Sequence, residues 1–275
     1  MRPDTPLIRA RARLAHAAGI YPYFLISASG GKDSNILFPL LDELRPRPAI
    51  GAYHYTILRG LQCVERPIEV LCRRYKVPVL YSIASQLPTM LFEGYCRPRT
   101  AVVKRARQVQ LNMVDVELRG RLWFAAHLSG MDPDDFVPAE GEEAKRALSD
   151  LKVDPFKIWY VGGQRQNDSL ERRAMLSQFR RQQRDLGDAK IPSGGQLGIN
   201  PKQRRIYPIC DWSTDEVLAY VRALGLPAAA DLGKGTNQGV NPGDPACMRA
   251  MRDRYPADFA RLVSRFPLAV AVAEG

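Results

Sequence analysis

A glycine-rich hexapeptide between a buried strand and an amphipathic helix is the feature that most constrains this chain. The apolar run YPYFLIS at 21–27 predicts a strand that is buried on both faces. The spacing of apolar residues over Asn35–Leu44 predicts a helix. SGGKDS at 29–34 lies between them. Glycines at a strand-to-helix turn let the backbone approach an anion closely while free amides point at it, so the sequence predicts a phosphate-binding loop.

The side chains of this hexapeptide suit the same chemistry. Lys32 supplies a positive charge, Ser29 and Ser34 supply hydroxyl donors, and Asp33 fits beside a phosphate if it binds Mg²⁺ or orients a donor. A Walker A loop needs Gly five residues before its second Gly and Ser or Thr after its Lys. This chain has Ile26 and Asp33 at those places, which disfavours a GTPase or kinase of that type.

Strand and helix patterns alternate around the hexapeptide. This alternation predicts an α/β fold with a doubly wound, mostly parallel sheet. We expect a nucleotide-binding domain over 1–225 with a helical middle at about 86–150, followed by a C-terminal extension over 226–275. The other predicted elements are a helix at 5–18, strands at 49–57, 77–83, 156–161 and 205–209, helices at 62–75, after 211 and from about 256, and loops at 187–204 and 228–246.

Charge and composition narrow the class of protein. The 275 residues carry a net charge of +11, which favours anionic ligands. Residues 164–205 hold ten Lys and Arg against four Asp and Glu, which fits a nucleic-acid surface or a solvated face equally well. Five cysteines exclude a disulfide scaffold. We expect a cytoplasmic protein without membrane association, because the chain shows neither an apolar run of about 18 residues nor a secretory signal at its start.

Three segments resemble one enzyme superfamily. The hexapeptide is similar to the PP-loop of the adenine nucleotide α-hydrolase superfamily of ATP pyrophosphatases. GGQRQNDSLERR at 162–173 is similar to the G-x-R-x-x-E-S-x-x-R stretch of PAPS-reductase-like proteins, and YPICDW at 207–212 resembles their P-I-x-D-W segment. The residues that match the first stretch are Arg165, Ser169 and Arg172, whereas Asp168 replaces its Glu. The chain therefore resembles the PAPS-reductase-like branch, with a phage- or plasmid-type member as one option.

The resemblance implies an adenine nucleotide ligand and a reaction. A substrate oxygen, with a nucleic-acid base or a sulfur-transfer acceptor as options, would attack the α-phosphate of ATP, and pyrophosphate would leave in the presence of Mg²⁺. A nucleophile would then displace AMP. The implied catalytic residues are Lys32, Asp33 and Arg165, with Asp33 as the Mg²⁺ ligand. The implied nucleotide-binding residues are Ser27, Ser29, Gly30, Gly31, Lys32, Asp33, Ser34, Tyr53, Arg165 and Arg172.

Alternatives to phosphate binding and to ATP chemistry stay open. Arg165 and Arg172 could instead form surface ion pairs with Asp168 or Glu171. A sulfonucleotide reductase would hold PAPS or APS in the same loop, although the intact loop favours ATP. A regulator that binds nucleotide without turnover is the third reading. The resemblance also allows a homodimer, and basic stretches at 97–121 and 164–205 would suit a nucleic-acid substrate.

Sulfur chemistry would require a reactive cysteine. Cys63, Cys96 and Cys247 lie in predicted loops or at helix starts, and Cys247 is our first choice because a helix start lowers a thiol pKa. No C-x-x-C pair occurs, so a zinc ribbon is disfavoured and an iron–sulfur cluster lacks a recognisable spacing. We expect His54 to be a packed strand histidine, and Cys72 an apolar filler of a helix.

Overall fold

The strand that precedes the hexapeptide lies inside a six-stranded sheet in a computed structural model of the chain. The structure describes residues 5–83, 113–131, 149–170, 172–177, 198–227, 240 and 242–275. Cys96, the segment 228–239 and much of the predicted helical middle and of the loop 187–204 lie outside these residues. The strands are β1 (Tyr23–Ser27), β2 (Ala49–Thr56), β3 (Val79–Ile83), β4 (Trp159–Val161), β5 (Ile199–Asn200) and β6 (Arg205–Ile206).

The sheet order confirms the predicted doubly wound α/β class. The strands follow the order β3-β2-β1-β4-β6-β5, and all neighbours are parallel except β5 and β6. The chain leaves β1 on one side to form β2 and β3, and β4 returns on the other side of β1. The order therefore reverses between β1 and β4, which is the position where open α/β sheets bind ligands.

Helices cover both faces of this sheet. They are α1 (Pro6–Ile20), α2 (Lys32–Asn35), α3 (Leu37–Asp42), α4 (Gln62–Tyr75), α5 (Met113–Ser129), α6 (Thr214–Ala223), α7 (Pro245–Arg254), α8 (Pro256–Arg265) and α9 (Ala269–Glu274). Successive β1 side chains point to opposite faces, so Phe24 and Ile26 join the core beneath α1, α3 and α4, while Leu25 packs on the α5 side. None of the helices in the described ranges is both long and apolar enough to cross a membrane.

Several predicted boundaries are wrong because prolines and caps override the apolar pattern. The helix expected over Asn35–Leu44 starts earlier, at Lys32, and is interrupted at Ile36, since Pro39 has no N–H for the Asn35 carbonyl. The strand expected over 156–161 begins only at Trp159. A 3₁₀ turn over Pro155–Lys157 precedes it, and the Asp154 carboxylate caps that turn.

Two further corrections concern the C-terminal third. The strand predicted over 205–209 ends at Ile206, because Tyr207 begins a turn that closes when the Cys210 amide donates to its carbonyl. The loop predicted over 228–246 gives way to α7 at Pro245. Asp244 caps α7, accepting hydrogen bonds from the Ala246 and Cys247 amides. The sequence analysis expected a helix start near Cys247 but did not use the Asp-Pro pair, which is a recognisable helix start, to place it.

A buried ion pair fastens α1 to the turn before α6. The Arg13 side chain is 1% exposed and donates to both carboxylate oxygens of Asp211, at 2.7 and 2.8 Å, and to the Pro208 carbonyl. Burial opposes ionisation of Asp211, but hydrogen bonds and charges from Arg13 and Arg9 outweigh it and lower its pKa. Next to this pair, Trp212 is buried in the core and donates to the Pro6 carbonyl.

We predict that Asp211→Asn lowers the free energy of unfolding by about 3 kcal/mol, because it leaves the buried Arg13 without its carboxylate. Urea denaturation measures this. Glu43→Gln, which breaks the exposed Arg11–Glu43 pair, should cost less than about 1 kcal/mol. Because folding lowers the pKa of Asp211, its carboxylate contributes fully to the free energy of unfolding above the pKa that Asp211 has in the unfolded chain. This contribution is lost as the pH falls through the lower pKa of the folded state. Equal losses in both variants would contradict this assignment.

Candidate functional site

The hexapeptide forms a closed loop at the carboxyl end of β1. The Ser29 and Ser34 hydroxyls lie 3.0 Å apart, and the Ser34 hydroxyl also accepts from the Ser29 amide and donates to the Gly31 carbonyl. The side-chain amide of Asn35 donates to the backbone carbonyls of Gly30 and Pro227, at 2.9 and 2.6 Å. The predicted hydroxyl donors thus shape the loop from within, in addition to any contact with a ligand.

Two glycines permit the backbone to pack this tightly. Gly30 has φ +76°, and a Cβ there would lie 2.6 Å from the Val64 carbonyl oxygen in the first turn of α4. A Cβ on Gly163, just after β4, would lie 2.6 Å from the Asp33 carbonyl oxygen. The loop is therefore held between α4 and the β4 connection, at the β1–β4 reversal of strand order.

The start of α2 meets the requirements of an anion site. Gly31 is its N-cap residue and supplies no side-chain hydrogen bond. The Lys32 ammonium lies 3.1 Å from the Asp33 carboxylate, and each side chain is close to 30% exposed. Helix-start amides and a partly exposed cation together favour a phosphate group there.

Arg165 is brought to the loop, as the sequence analysis expected, but its partners are carboxylates. Its side chain is 6% exposed, and its Nε lies 3.0 Å from the Asp33 carboxylate as an ion pair without hydrogen-bond alignment. Its guanidinium also lies 2.9 Å from the Asp168 carboxylate and 3.3 Å from the Thr214 hydroxyl. In this arrangement Arg165 orients Asp33, and its contact with phosphate stays a prediction.

Arg172 lies farther from the loop. Its guanidinium is 2.8 Å from the Asp168 carboxylate, in the helical i, i+4 spacing considered as the alternative to phosphate binding. The side chain is 22% exposed. Asp168 also accepts from the Arg165 amide, so this one carboxylate ties both arginines together. The predicted phosphate contact of Arg172 remains a prediction.

Ser27 and Tyr53 flank the loop from the sheet. The Tyr53 ring is buried with Leu25 and Phe124 on the α5 side, and its main-chain carbonyl accepts from the amide of Ala28, the residue before the loop, at 2.8 Å. Burial raises the pKa of Tyr160, and the Ser27 side chain acts in the opposite direction. The nucleotide contact expected for Tyr53 stays a prediction.

His54 contacts the loop in a way that the sequence analysis missed. It is 2% exposed, as expected for a packed strand residue, and its Nδ1 lies 2.7 Å from the Ala28 carbonyl oxygen. A carbonyl only accepts, so Nδ1 carries the hydrogen. Burial lowers the His54 pKa to about 4, and the charge of Arg59 acts in the same direction. The neutral ring packs edge-on against Tyr81.

The described cysteines are buried. Cys247 lies in the first turn of α7, as the helix-start expectation required, but it is 0% exposed. Cys63 lies in the first turn of α4, and burial followed by interaction with Asp258 raises its pKa. Burial also raises the pKa values of Cys72 and Cys210 to about 12. Thiols in these surroundings are poor nucleophiles.

Asp33 is the loop carboxylate that could hold Mg²⁺. No group of three or more His, Cys, Asp or Glu side chains with metal-binding spacing occurs within the described ranges. A Mg²⁺ ion bound with a nucleotide needs only one or two carboxylates, because phosphate oxygens and water complete its octahedron. Asp33 is 27% exposed and lies beside the helix start, so it could supply such a carboxylate.

Comparisons with known proteins give a distant likeness. No family model matches the chain, and no curated protein sequence matches it. Among solved structures it is similar to the U34-tRNA thiolase NcsA from Methanococcus maripaludis with its [4Fe-4S] cluster, at 14% identity over 94% of this chain and 76% of that chain, with a TM-score of 0.41. The α/β assignment rests on the sheet described above, and a likeness of this degree adds nothing about activity.

We predict that Gly30→Ala destabilises the protein by more than about 2 kcal/mol, because it combines a left-handed φ with a clash against the Val64 carbonyl. Gly130→Ala separates the two causes, since Gly130 has the same φ but open space around it, and should cost about 1–2 kcal/mol. Gly19→Ala in α1, also in open space, should stabilise slightly. Thermal and urea unfolding rank the three, and equal effects at Gly30 and Gly130 would exclude the clash.

We also predict a pH dependence of stability from His54. Its folded pKa lies below the ordinary value, so the unfolded chain takes up the proton first. The free energy of unfolding should therefore fall as pH decreases from 6.5 to about 4, by at most ~1.4 kcal/mol per pH unit. Denaturation at several pH values measures the slope. His54→Asn should remove it, and an unchanged slope in that variant would assign the dependence to another group.

Proposed function

We propose that the protein is an ATP-dependent PP-loop enzyme that transfers AMP to an oxygen atom of a second substrate and releases pyrophosphate. The observation that carries the proposal is the loop at the β1–β4 reversal, where Gly30 leaves no room for a side chain and Lys32 stands at a helix start. Both features serve close approach of a polyphosphate to the backbone.

The reaction would proceed at the α-phosphate. The substrate oxygen attacks the α-phosphorus. The bond between the α-phosphorus and the α–β bridging oxygen breaks, and pyrophosphate leaves with the electrons of that bond. The proton of the substrate oxygen passes to solvent or to a base that the described residues do not identify. Lys32 and the α2 amides would bind the leaving pyrophosphate and stabilise the charge that develops on it.

Arg165 and Asp33 would act together beside these phosphates. The Arg165 ion pair fixes the Asp33 carboxylate next to the helix start. Bound Mg²⁺ would supply further neutralisation of the pyrophosphate charge, with Asp33 as its protein ligand. Arg172 holds Asp168, which in turn holds Arg165, so we assign Arg172 a supporting role unless nucleotide binding draws it to the phosphates.

The alternatives from sequence find less support in the described residues. A sulfonucleotide reductase needs a thiol that reaches its substrate, and Cys63, Cys72, Cys210 and Cys247 are all buried. The nucleic-acid surface proposed for 97–121 and 164–205 lies largely outside the described residues. Within them, Arg121 and Arg205 are bound to Glu117, whereas Arg173 and Lys202 are exposed, so the nucleic-acid contact stays a prediction.

We predict that Lys32→Ala lowers the rate of pyrophosphate release from ATP at least about 100-fold while leaving the fold intact, because it removes the cation that would stabilise the charge developing on the leaving pyrophosphate. Coupled pyrophosphate and AMP assays measure turnover, and calorimetry measures ATP binding. Lys157→Ala is the matched control, since Lys157 lies before β4 at the opposite end of the sheet. Undiminished turnover in Lys32→Ala would remove the loop from the mechanism.

The same assays separate the three readings. Adenylation predicts one pyrophosphate for each ATP consumed when the second substrate is present, and an equal amount of free AMP only after a nucleophile displaces AMP from the adenylated substrate. Tight ATP binding without pyrophosphate release would favour a regulator. Sulfite release from PAPS or APS with thioredoxin as reductant would favour the reductase.

A further inference from the structure

The C-terminal helices pack against the helix that supports the nucleotide loop. Leu61 and Val64, at the start of α4, share one buried apolar cluster with residues from α7, α8 and α9. The C-terminal members of that cluster include Met248, Met251, Leu262 and Phe266. The segment expected to be an extension thus forms part of the structure behind the loop.

Asp258 makes the decisive polar contact in this packing. This α8 residue is 6% exposed, and its two carboxylate oxygens accept from the backbone amides of Gln62 and Cys63, at 3.1 and 2.7 Å. Those amides begin α4, where the N-cap residue Leu61 offers no side-chain hydrogen bond. Asp258 therefore caps α4 from a position about 195 residues later, and its negative charge suits a helix start.

A second contact from α8 restrains the residues just before α4. The Arg261 guanidinium donates to the Arg59 carbonyl at 3.2 Å and occupies the place that a Cβ on Gly60 would need. On the other side, the Gly60 amide donates to the buried Glu65 carboxylate at 2.8 Å. The connection from β2 into α4 is therefore fixed by α8 as well as by α4 itself.

The first turn of α4 packs closely against the nucleotide loop. The Val64 carbonyl, one residue after the amides that Asp258 caps, packs directly against Gly30. A movement of the first turn of α4 by a few tenths of an ångström would therefore be transmitted to Gly30. Close-packed interiors transmit such strain because they contain few voids that could absorb it.

We propose that Asp258 is a positioning residue for the nucleotide loop: by capping α4 from the C-terminal helices, it holds Val64 against Gly30 and so sets the affinity of the loop for nucleotide. Its effect on affinity rests on the proposed function, whereas its effect on loop placement does not. Asp258 lies outside the three segments that resemble the superfamily.

The test uses Asp258→Asn in the full-length chain. The substitution keeps the size of the side chain but turns one oxygen acceptor into an N–H group that faces a backbone N–H. Hydrogen–deuterium exchange without nucleotide should become faster at residues 62–66 and also at residues 28–35. Calorimetry should show the Kd for ATP rising about tenfold, which corresponds to about 1.4 kcal/mol.

Three further variants give the controls. Asp253→Asn removes an exposed carboxylate from α7 and should change neither readout. Gly130→Ala, which is strained by its left-handed φ but has open space around it, shows what a general loss of stability does to exchange and Kd. Arg261→Gln, which removes the second α8 contact, should speed exchange at 28–35 to a smaller extent, and it replaces Asp258→Asn if that variant does not fold.

The outcomes separate the inference from the proposed function. Faster exchange at 62–66 with no change at 28–35 would overturn the inference, and so would an unchanged Kd in a wild-type chain that binds ATP. If the wild-type chain shows no ATP binding, the proposed function fails, and the exchange at 28–35 alone decides the role of Asp258. The same loss of affinity in Gly130→Ala as in Asp258→Asn would also overturn the inference.

Discussion

The close packing of two glycine backbones at one end of the sheet is the constraint on which the rest of this structure depends. Gly30 turns with a left-handed φ against the Val64 carbonyl, and Gly163 passes directly over the Asp33 main chain. Side chains at either position would separate the loop from α4 or from the β4 connection. Their absence lets β1, α2, α4 and the β4 connection meet where the strand order reverses.

Charge alternates along the groups that meet there. Lys32, Arg165 and Arg172 carry three positive charges, and Asp33 and Asp168 carry two negative ones, each carboxylate lying between two cations. The network therefore has one net positive charge, and its most exposed cation, Lys32, lies beside the helix start. An anionic ligand would meet a site whose buried charges already compensate each other, which limits the desolvation cost of holding them.

The apolar runs located β1, β2, β3 and α4 to within a few residues, because a strand or helix with a buried face must repeat its apolar residues locally. The same reasoning failed at Pro39 and at the Asp244–Pro245 pair, where a missing amide or a capping carboxylate decided the boundary. Before Trp159, the residues Pro155–Lys157 form a capped 3₁₀ turn, although the apolar pattern had assigned part of this segment to the strand. Each error came from weighing hydrophobicity above hydrogen bonding.

The sequence by itself determined the hexapeptide, the strand before it and the helix after it, since these follow from local pattern and from the conformational freedom of glycine. Tertiary structure decided the rest of the site. Arg165 is bound to Asp33, His54 donates to the Ala28 carbonyl, and Asp258 caps α4 from the far end of the chain. Such contacts depend on how the chain closes on itself, and no periodicity within one segment encodes a partner that is about 195 residues away.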